Sequence, residues 1–282
     1  MFTIIHGLSI GALYGLLAIG IVLVFKATRV INFAQAEVGT FAAYATRWFL
    51  VDLSLPWWAA ALGGLTTVGI IGFSFERVVI RRMLDGPKLA IAVSTLGLLT
   101  LLGFIEVKFG PRLLRPPLPS KGLQLMGTTV TPTQILALVC AFVVGGALLL
   151  FVRKTTFGLG LLASAQDPVA VRLMGIRLKH LSSFTWVASS VIGGLAGILI
   201  LTSLGGDLKP FGVTALFVPA LAGALVGGMT SIPGAFLGSL LIGLLEVFLQ
   251  QFQVSGLEDA GVFVVLIAIL VFRPQGLFGK AA

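Results

Sequence analysis

Long apolar runs separated by short polar breaks fill almost the whole sequence. The first extends from roughly Ile4 to Phe25 and stops at Lys26 and Arg29. A second is entered through Asn32, Gln35 and Glu37 and reaches about Val51; a third covers 57–75, a fourth Leu89 to Val107, and a fifth Thr133 to Val152. Further runs lie at Leu181 to Leu204, Val213 to Gly228, Phe236 to Gln251 and Val262 to Phe272. A bilayer core of ~30 Å takes about 20 helical residues to cross, and most of these runs approach that length. The pattern predicts an all-α polytopic membrane protein with about 8–10 transmembrane helices and one domain over 1–282. The seventh and eighth runs are joined only by the tight MTSIPGA break, so either is expected to be a half-helix or re-entrant segment, which lipid permits only where other protein surrounds it.

Gly7, Gly11 and Gly15 share one face of the first helix, and Gly193 with Gly197 forms a second such face. Small residues at four-residue spacing let backbones approach closely. An intramolecular crossing is expected there rather than a dimer seam.

Two breaks are long. KFGPRLLRPPLPSKG, within 108–132, carries four prolines and cannot continue as helix, so it is expected as an ordered or extended external loop. Arg153 to His180 is the other. Gly158 and Gly160 are expected to break the incoming helix, and Leu161 to Gln166 to form a short one. Asp167 then stands as an N-cap with Pro168 at the first helical position. Val169, Ala170, Leu173 and Met174 make an apolar stripe, Arg172 projects from another side, and Gly175 supplies a left-handed stop. Such a surface suits docking, or lying as an amphipathic linker at the interface.

The net charge of +9 is read first as topology. With the loops after the odd-numbered runs on one side, 13 Lys and Arg fall there and 6 opposite. This places the N-terminus outside and 153–180 in the cytoplasm, and no nucleic-acid role is assigned. The apolar start lacks a basic leader and is expected to remain as a membrane helix.

Little sequence is left for catalysis. A lone cysteine, Cys140, permits neither a disulfide nor a cysteine metal site, and His6 and His180 are too far apart in the predicted topology to pair. No GxxxxGK[ST] cradle for nucleotide phosphates and no HExxH motif is present. Ionisable groups inside a span are costly and mark candidate sites. Glu37, with Asn32 and Gln35, is either part of a solute path or an interfacial group paired to Arg29 or Arg47. Glu246, with Gln250 one turn on, faces a polar cavity or a helix neighbour. Glu76 and Glu106, at run ends, are expected as loop or snorkelling charges.

Four ordered stretches carry a resemblance: GALYGLLAIGIVLVFKATRVINFAQAE, LLASAQDPVAVRLMGI, FVPALAGALVGGMTSIPGAFLGSLLIGLLE and VFRPQGLFG. Together they resemble a LivH-type permease of the branched-chain amino acid ABC transporter family over residues 11–279. The resemblance implies an ABC importer permease fold with short cytoplasmic coupling helices, in a bacterial cytoplasmic membrane. It also implies a second LivM-type permease, two cytoplasmic ATPases that bind ATP and Mg, and an external solute-binding protein. This chain itself would hold no cofactor and catalyse no reaction. The 153–180 loop resembles the EAA-like segment that fits a groove on the ATPase, with Ala163, Ser164 and Ala165 at its alanine pair and Gly175 with Ile176 at its distal glycine. Leu162 stands where the wider consensus has glutamate, and Gln35 and Ala36 depart from the commoner NFAHGE form. Branched-chain amino acids, other amino acids, amides, urea or aromatic acids are the solutes such permeases handle. The alternative is an ion-coupled secondary transporter or channel that uses Glu37 and Glu246.

Overall fold

The computed structural model describes residues 2–84, 86–117, 122–125, 128–166, 171, 173, 175, 178–203, 205–273 and 275–279. Among them are ten helices: α1 (Phe2–Thr28), α2 (Gln35–Val51), α3 (Trp57–Phe75), α4 (Lys88–Phe109), α5 (Pro132–Lys154), α6 (Thr156–Gln166), α7 (Leu178–Ser203), α8 (Phe217–Gly227), α9 (Ile232–Gln250) and α10 (Leu257–Phe272). A π-helical turn, Glu76–Ile80, and Arg81–Met83 prolong α3. Each of the nine expected apolar runs overlaps one of these helices. Six helical stretches are long and apolar enough to cross a membrane. The helices α2, α8 and α10, with 17, 11 and 16 residues, are shorter than that. At 1.5 Å per residue α8 is only ~16 Å long, the half-helix anticipated from the MTSIPGA break.

α1 is the axis of the bundle. From Gly11 to Val24 every residue is buried, and α1 packs against α5, α7, α8 and α9. Its glycine face meets α9 in antiparallel register. A Cβ on Gly7 would lie 2.9 Å from Leu244 Cα, and one on Gly11 would lie 2.8 Å from Leu240 Cα. The crossing is therefore internal to the chain. Gly197 and Gly39 bring α7 and α2 into backbone contact in the same way, and Gly193 receives the Gln35 side chain.

Between α4 and α5, none of the described residues is helical. Arg112–Leu113 (β1) pairs antiparallel with Asp207–Leu208 (β4), and Leu123–Leu125 (β2) with Thr128–Val130 (β3). The helix that follows starts at a full capping box: Thr131 Oγ1 accepts from Gln134 N–H, Gln134 Oε1 accepts from Thr131 N–H, and Pro132 takes the first helical position. Removing such a cap costs about 1 kcal/mol. Thr131→Ala is expected to lower the unfolding midpoint of the detergent-solubilised protein by ~2–4 °C in a thermal scan.

The incoming helix breaks before the expected glycines. Its break falls at Thr155, which is extended (φ −105°, ψ 147°), and Gly158 and Gly160 lie inside α6. Thr155 Oγ1 accepts from Gly158 N–H at 3.0 Å, as an N-cap does. Gly158 is needed for packing instead: a Cβ there would collide with the backbone of Val152. A cluster of Phe151, Phe157 and Phe184 seats α6 between α5 and α7, with ring centroids 4.9–6.4 Å apart.

Candidate functional site

Two breaks in the helical pattern meet inside the protein. The first follows α1. Gln35, the first residue of α2, lies against Gly20 of α1, where a Cβ would strike its side-chain amide. From Gly20, α1 runs on for eight more residues to Thr28 (28 − 20), or ~12 Å. The chain then returns through 29–34, so α2 begins well below the end of α1. The second break is the strap 207–216, which ends in a 3₁₀ turn at Thr214–Leu216 and feeds α8. The two meet where the Phe33 and Phe217 rings lie 5.7 Å apart.

A broken helix inside a membrane protein leaves backbone and side-chain polar groups that must find partners there. Asn32 and Gln35 do this for the first break. Asn32 Oδ1 accepts from Ala34 N–H at 3.1 Å, and its amide donates to Gln35 Oε1 at 3.2 Å. Gln35 Nε2 donates to Ser189 O at 2.9 Å, and Ser189 Oγ lies 2.7 Å from Gln35 Oε1 and 3.0 Å from Gly20 O. Both residues are buried and bonded on their polar atoms. Their place is the joint between α1, α2 and α7, and Thr95 Oγ1 of α4 completes it by accepting from Phe33 N–H.

Glu37 belongs to the second break. It is fully buried, and the expected pairing with Arg29 or Arg47 is replaced by contacts with Thr40, Thr214 and Glu106. Arg47 pairs with Asp52 instead, at 3.3 Å. The reason is depth: α2 starts inside the protein, so its first turn cannot reach the charged end of α1. Glu106 is also fully buried rather than snorkelling. Its Oε2 accepts from Phe211 N–H at 3.2 Å. Val213 N–H donates to Thr40 Oγ1 at 3.1 Å, and Thr214 Oγ1 donates to Glu37 Oε2. With the Tyr44 hydroxyl donating to Leu208 O at 3.3 Å, α2 and α4 hold the strap through four hydrogen bonds. Phe211 has a left-handed backbone (φ 60°), which costs a non-glycine residue about 1–3 kcal/mol, and its ring covers Gly103 above the carboxyls.

The other sequence-flagged groups lie elsewhere. Glu246 is on the α1–α9 wall, where it accepts from Tyr14 OH at 3.1 Å. Glu76, fully buried in the π-turn, pairs with Arg81 at 3.0 Å and accepts from Ser183 Oγ at 2.7 Å, which joins the end of α3 to the base of α7. In the 153–180 loop, Ala163 and Ser164 are half-buried in α6, which also contains Ala165; Ser164 Oγ donates to Leu161 O at 2.9 Å. Leu173 is 84% exposed and Gly175 is left-handed (φ +81°). Asp167, Pro168, Arg172 and Ile176 lie outside the described residues. Ser9 sits in a G-x-S-x-G string, Gly7 to Gly11, but deep within α1, where its hydroxyl donates to Ile5 O at 2.8 Å. A nucleophile elbow needs a strand-to-helix turn instead.

The sequence flagged Glu37 but not its partners. Glu106 carried a usable signal, a carboxyl within reach of an apolar span. Thr214 and Phe211 carried none, because only the fold of the strap brings them to α2 and α4.

Residues 3–272 match the family described as branched-chain amino acid transport system / permease component. The chain belongs to this family. Similar members include the high-affinity branched-chain amino acid transport system permease protein BraD of Pseudomonas aeruginosa, 30% identical over 98% of this chain and 95% of that protein. The LivH permease of Escherichia coli K12 is 27% identical over 98% of this chain and 94% of its own length. Among solved structures, a chain of PsaBC from Streptococcus pneumoniae in complex with Fab has a similar fold, with a TM-score of 0.51 at 14% identity over 96% of this chain and 91% of that one. The family assignment accounts for the helical membrane architecture. It matches a chain that carries no phosphate-cradling motif of its own.

Proposed function

We propose that this chain is the membrane permease subunit of an ABC importer and forms half of a path for branched-chain amino acids or a related small polar solute. Membership of the permease family over nearly the full length is the observation that carries this reading. A LivM-type permease would supply the other half, an external binding protein would deliver the solute, and two cytoplasmic ATPases would bind ATP and Mg and do the work. This chain would hold no nucleotide and catalyse no reaction, in the cytoplasmic membrane of a bacterium.

The coupling element in this reading is the segment from α6 to the base of α7, with Ala163, Ser164, Ala165, Asp167, Pro168, Arg172, Gly175 and Ile176. Its seat supports the role. The Phe151–Phe157–Phe184 cluster joins α6 to α5 and α7, and the Ser183–Glu76–Arg81 contacts carry any displacement on to α3. Since α7 meets α2 backbone to backbone at Gly197 and Gly39, a push from the cytoplasmic side would reach the two broken segments. Interfaces this tight switch between discrete arrangements rather than deforming smoothly. In this reading Asn32 and Gln35 at the first break and Glu37 at the second line the solute path, with Glu246 on a separate wall.

The test is uptake of labelled leucine into vesicles that contain the chain with its permease partner, ATPases and binding protein. Uptake is expected only with hydrolysable ATP. Equal uptake without ATP, driven by an ion gradient through the chain alone, would establish the ion-coupled alternative and overturn this reading.

A further inference from the structure

Glu37 and Glu106 bring two acidic side chains together where water does not reach: both residues are 0% exposed. Each has one oxygen, Oε2, engaged by the strap. The Oε1 atom of each is buried without a hydrogen-bond partner, and the Glu37 Oε1 lies 3.0 Å from where a Cβ on Gly103 would sit, one turn before Glu106 on α4, so that each carboxyl neighbours the other. An ionised carboxyl only accepts, so two ionised groups in contact cannot bond and repel in a dry site. Among the described residues, the groups in contact with Glu37, namely Thr214, Glu106, Thr40 and the Phe211 amide, carry no positive charge.

We propose that Glu37 and Glu106 form a binding site for a single proton, held between their two carboxyls, which fastens the strap 207–216 to α2 and α4. With the proton in place, one carboxyl donates to the other and each keeps its Oε2 free to accept from the strap. Without it, like charges in contact push α2 from α4. The Thr214 hydroxyl, bonded to Glu37, and the Phe211 amide, bonded to Glu106 and acting also on Glu37, then lose their common anchor. The strained Phe211 backbone is the segment set to relax when this happens.

The surroundings are consistent with a proton rather than a larger cation. Tyr44 of α2 is the other titratable group facing the pair; its hydroxyl lies 3.0 Å from Gly110 O and 3.3 Å from Leu208 O, and the Arg112 guanidinium acts on it from β1. Asp207 and Lys209 on the strap are exposed, and Lys108 on α4 lies over the Phe104 ring. Among the described residues no group of three metal-binding side chains occurs.

Infrared difference spectroscopy of the full-length protein in lipid nanodiscs, in H₂O and D₂O at neutral pH, tests this. Glu246→Gln serves as the background, to remove the half-buried carboxyl that accepts from Tyr14. The expected result is a protonated-carboxyl band, shifted by D₂O, that disappears in both Glu37→Gln and Glu106→Gln, because an amide donates to the remaining carboxylate without needing the proton. Absence of the band in the background protein, or its survival in either glutamine variant, overturns the proposal. Should the glutamine variants fail to assemble, Glu37→Asp and Glu106→Asp replace them: each is expected to move the band, and an unmoved band in either one overturns the proposal.

Discussion

Gly197→Leu is expected to abolish assembly of the helix bundle. The Gly197 Cα faces the backbone of Gly39, and a Cβ there would overlap the Gly39 carbonyl group and Cα. Against a flexible side chain such a clash is relieved by a rotamer change; against backbone it can be relieved only by separating two helices. Separation is resisted nearby, because the Gln35–Ser189 bonds fix α2 to α7 about one turn away. Overpacking in a well-filled core costs about 1–3 kcal/mol where side chains can adjust, and a larger cost follows here against a total stability of ~5–15 kcal/mol. Helices in lipid gain nothing from hydrophobic burial against each other, so close packing is much of what holds them. Size-exclusion chromatography of the solubilised variant should show aggregate in place of a single peak, with Gly197→Ala intermediate. A monodisperse leucine variant melting within ~2 °C of the parent would refute the assignment of this crossing.

Gly175→Pro is expected to stop ATP-driven uptake while leaving the bundle folded. The φ of Gly175 is +81°, and proline fixes φ near −65°, so the substitution cannot be accommodated without redirecting the chain toward α7. Gly175 is exposed and a Cβ there would meet nothing within 4 Å, which confines the damage to local conformation. Gly175→Ala isolates the conformational part: a left-handed alanine costs ~1–2 kcal/mol, and 1.4 kcal/mol is tenfold in an equilibrium constant. Association with the ATPases, followed by co-purification, should therefore fall roughly tenfold for alanine and be lost for proline. Wild-type uptake by the proline variant, with a normal chromatographic profile, would exclude the α6–α7 segment as the coupling element.

The contrast between the two glycines shows what could be foreseen. Both were marked by the sequence, Gly197 by its spacing from Gly193 and Gly175 by its position after an apolar stripe. Spacing shows that a helix has a face a backbone can approach. It does not show which helix fills that face, and nothing in the spacing singles out Gly39 of α2. The same limit affected the acidic residues. Closeness in sequence to Arg29 makes Glu37 look interfacial, because a helix start ordinarily marks the membrane boundary. In the folded chain the start of α2 lies ~12 Å below the end of α1, and the loop between them is held by Asn32 and Gln35.

Four ordered motifs marked the family, and the sequence by itself determined the class of protein, the order of its apolar segments, and that one of the two runs flanking the MTSIPGA break is a half-helix or re-entrant. These depend on composition and local periodicity, which lipid reads directly because every span must bond its own backbone. The tertiary structure alone decided that α2 begins inside the bundle, that Glu106 and the strap come to Glu37, and that Glu76 is locked to Ser183. Those outcomes depend on which faces touch across long stretches of chain, and that is set by packing between backbones rather than by any pattern within one helix.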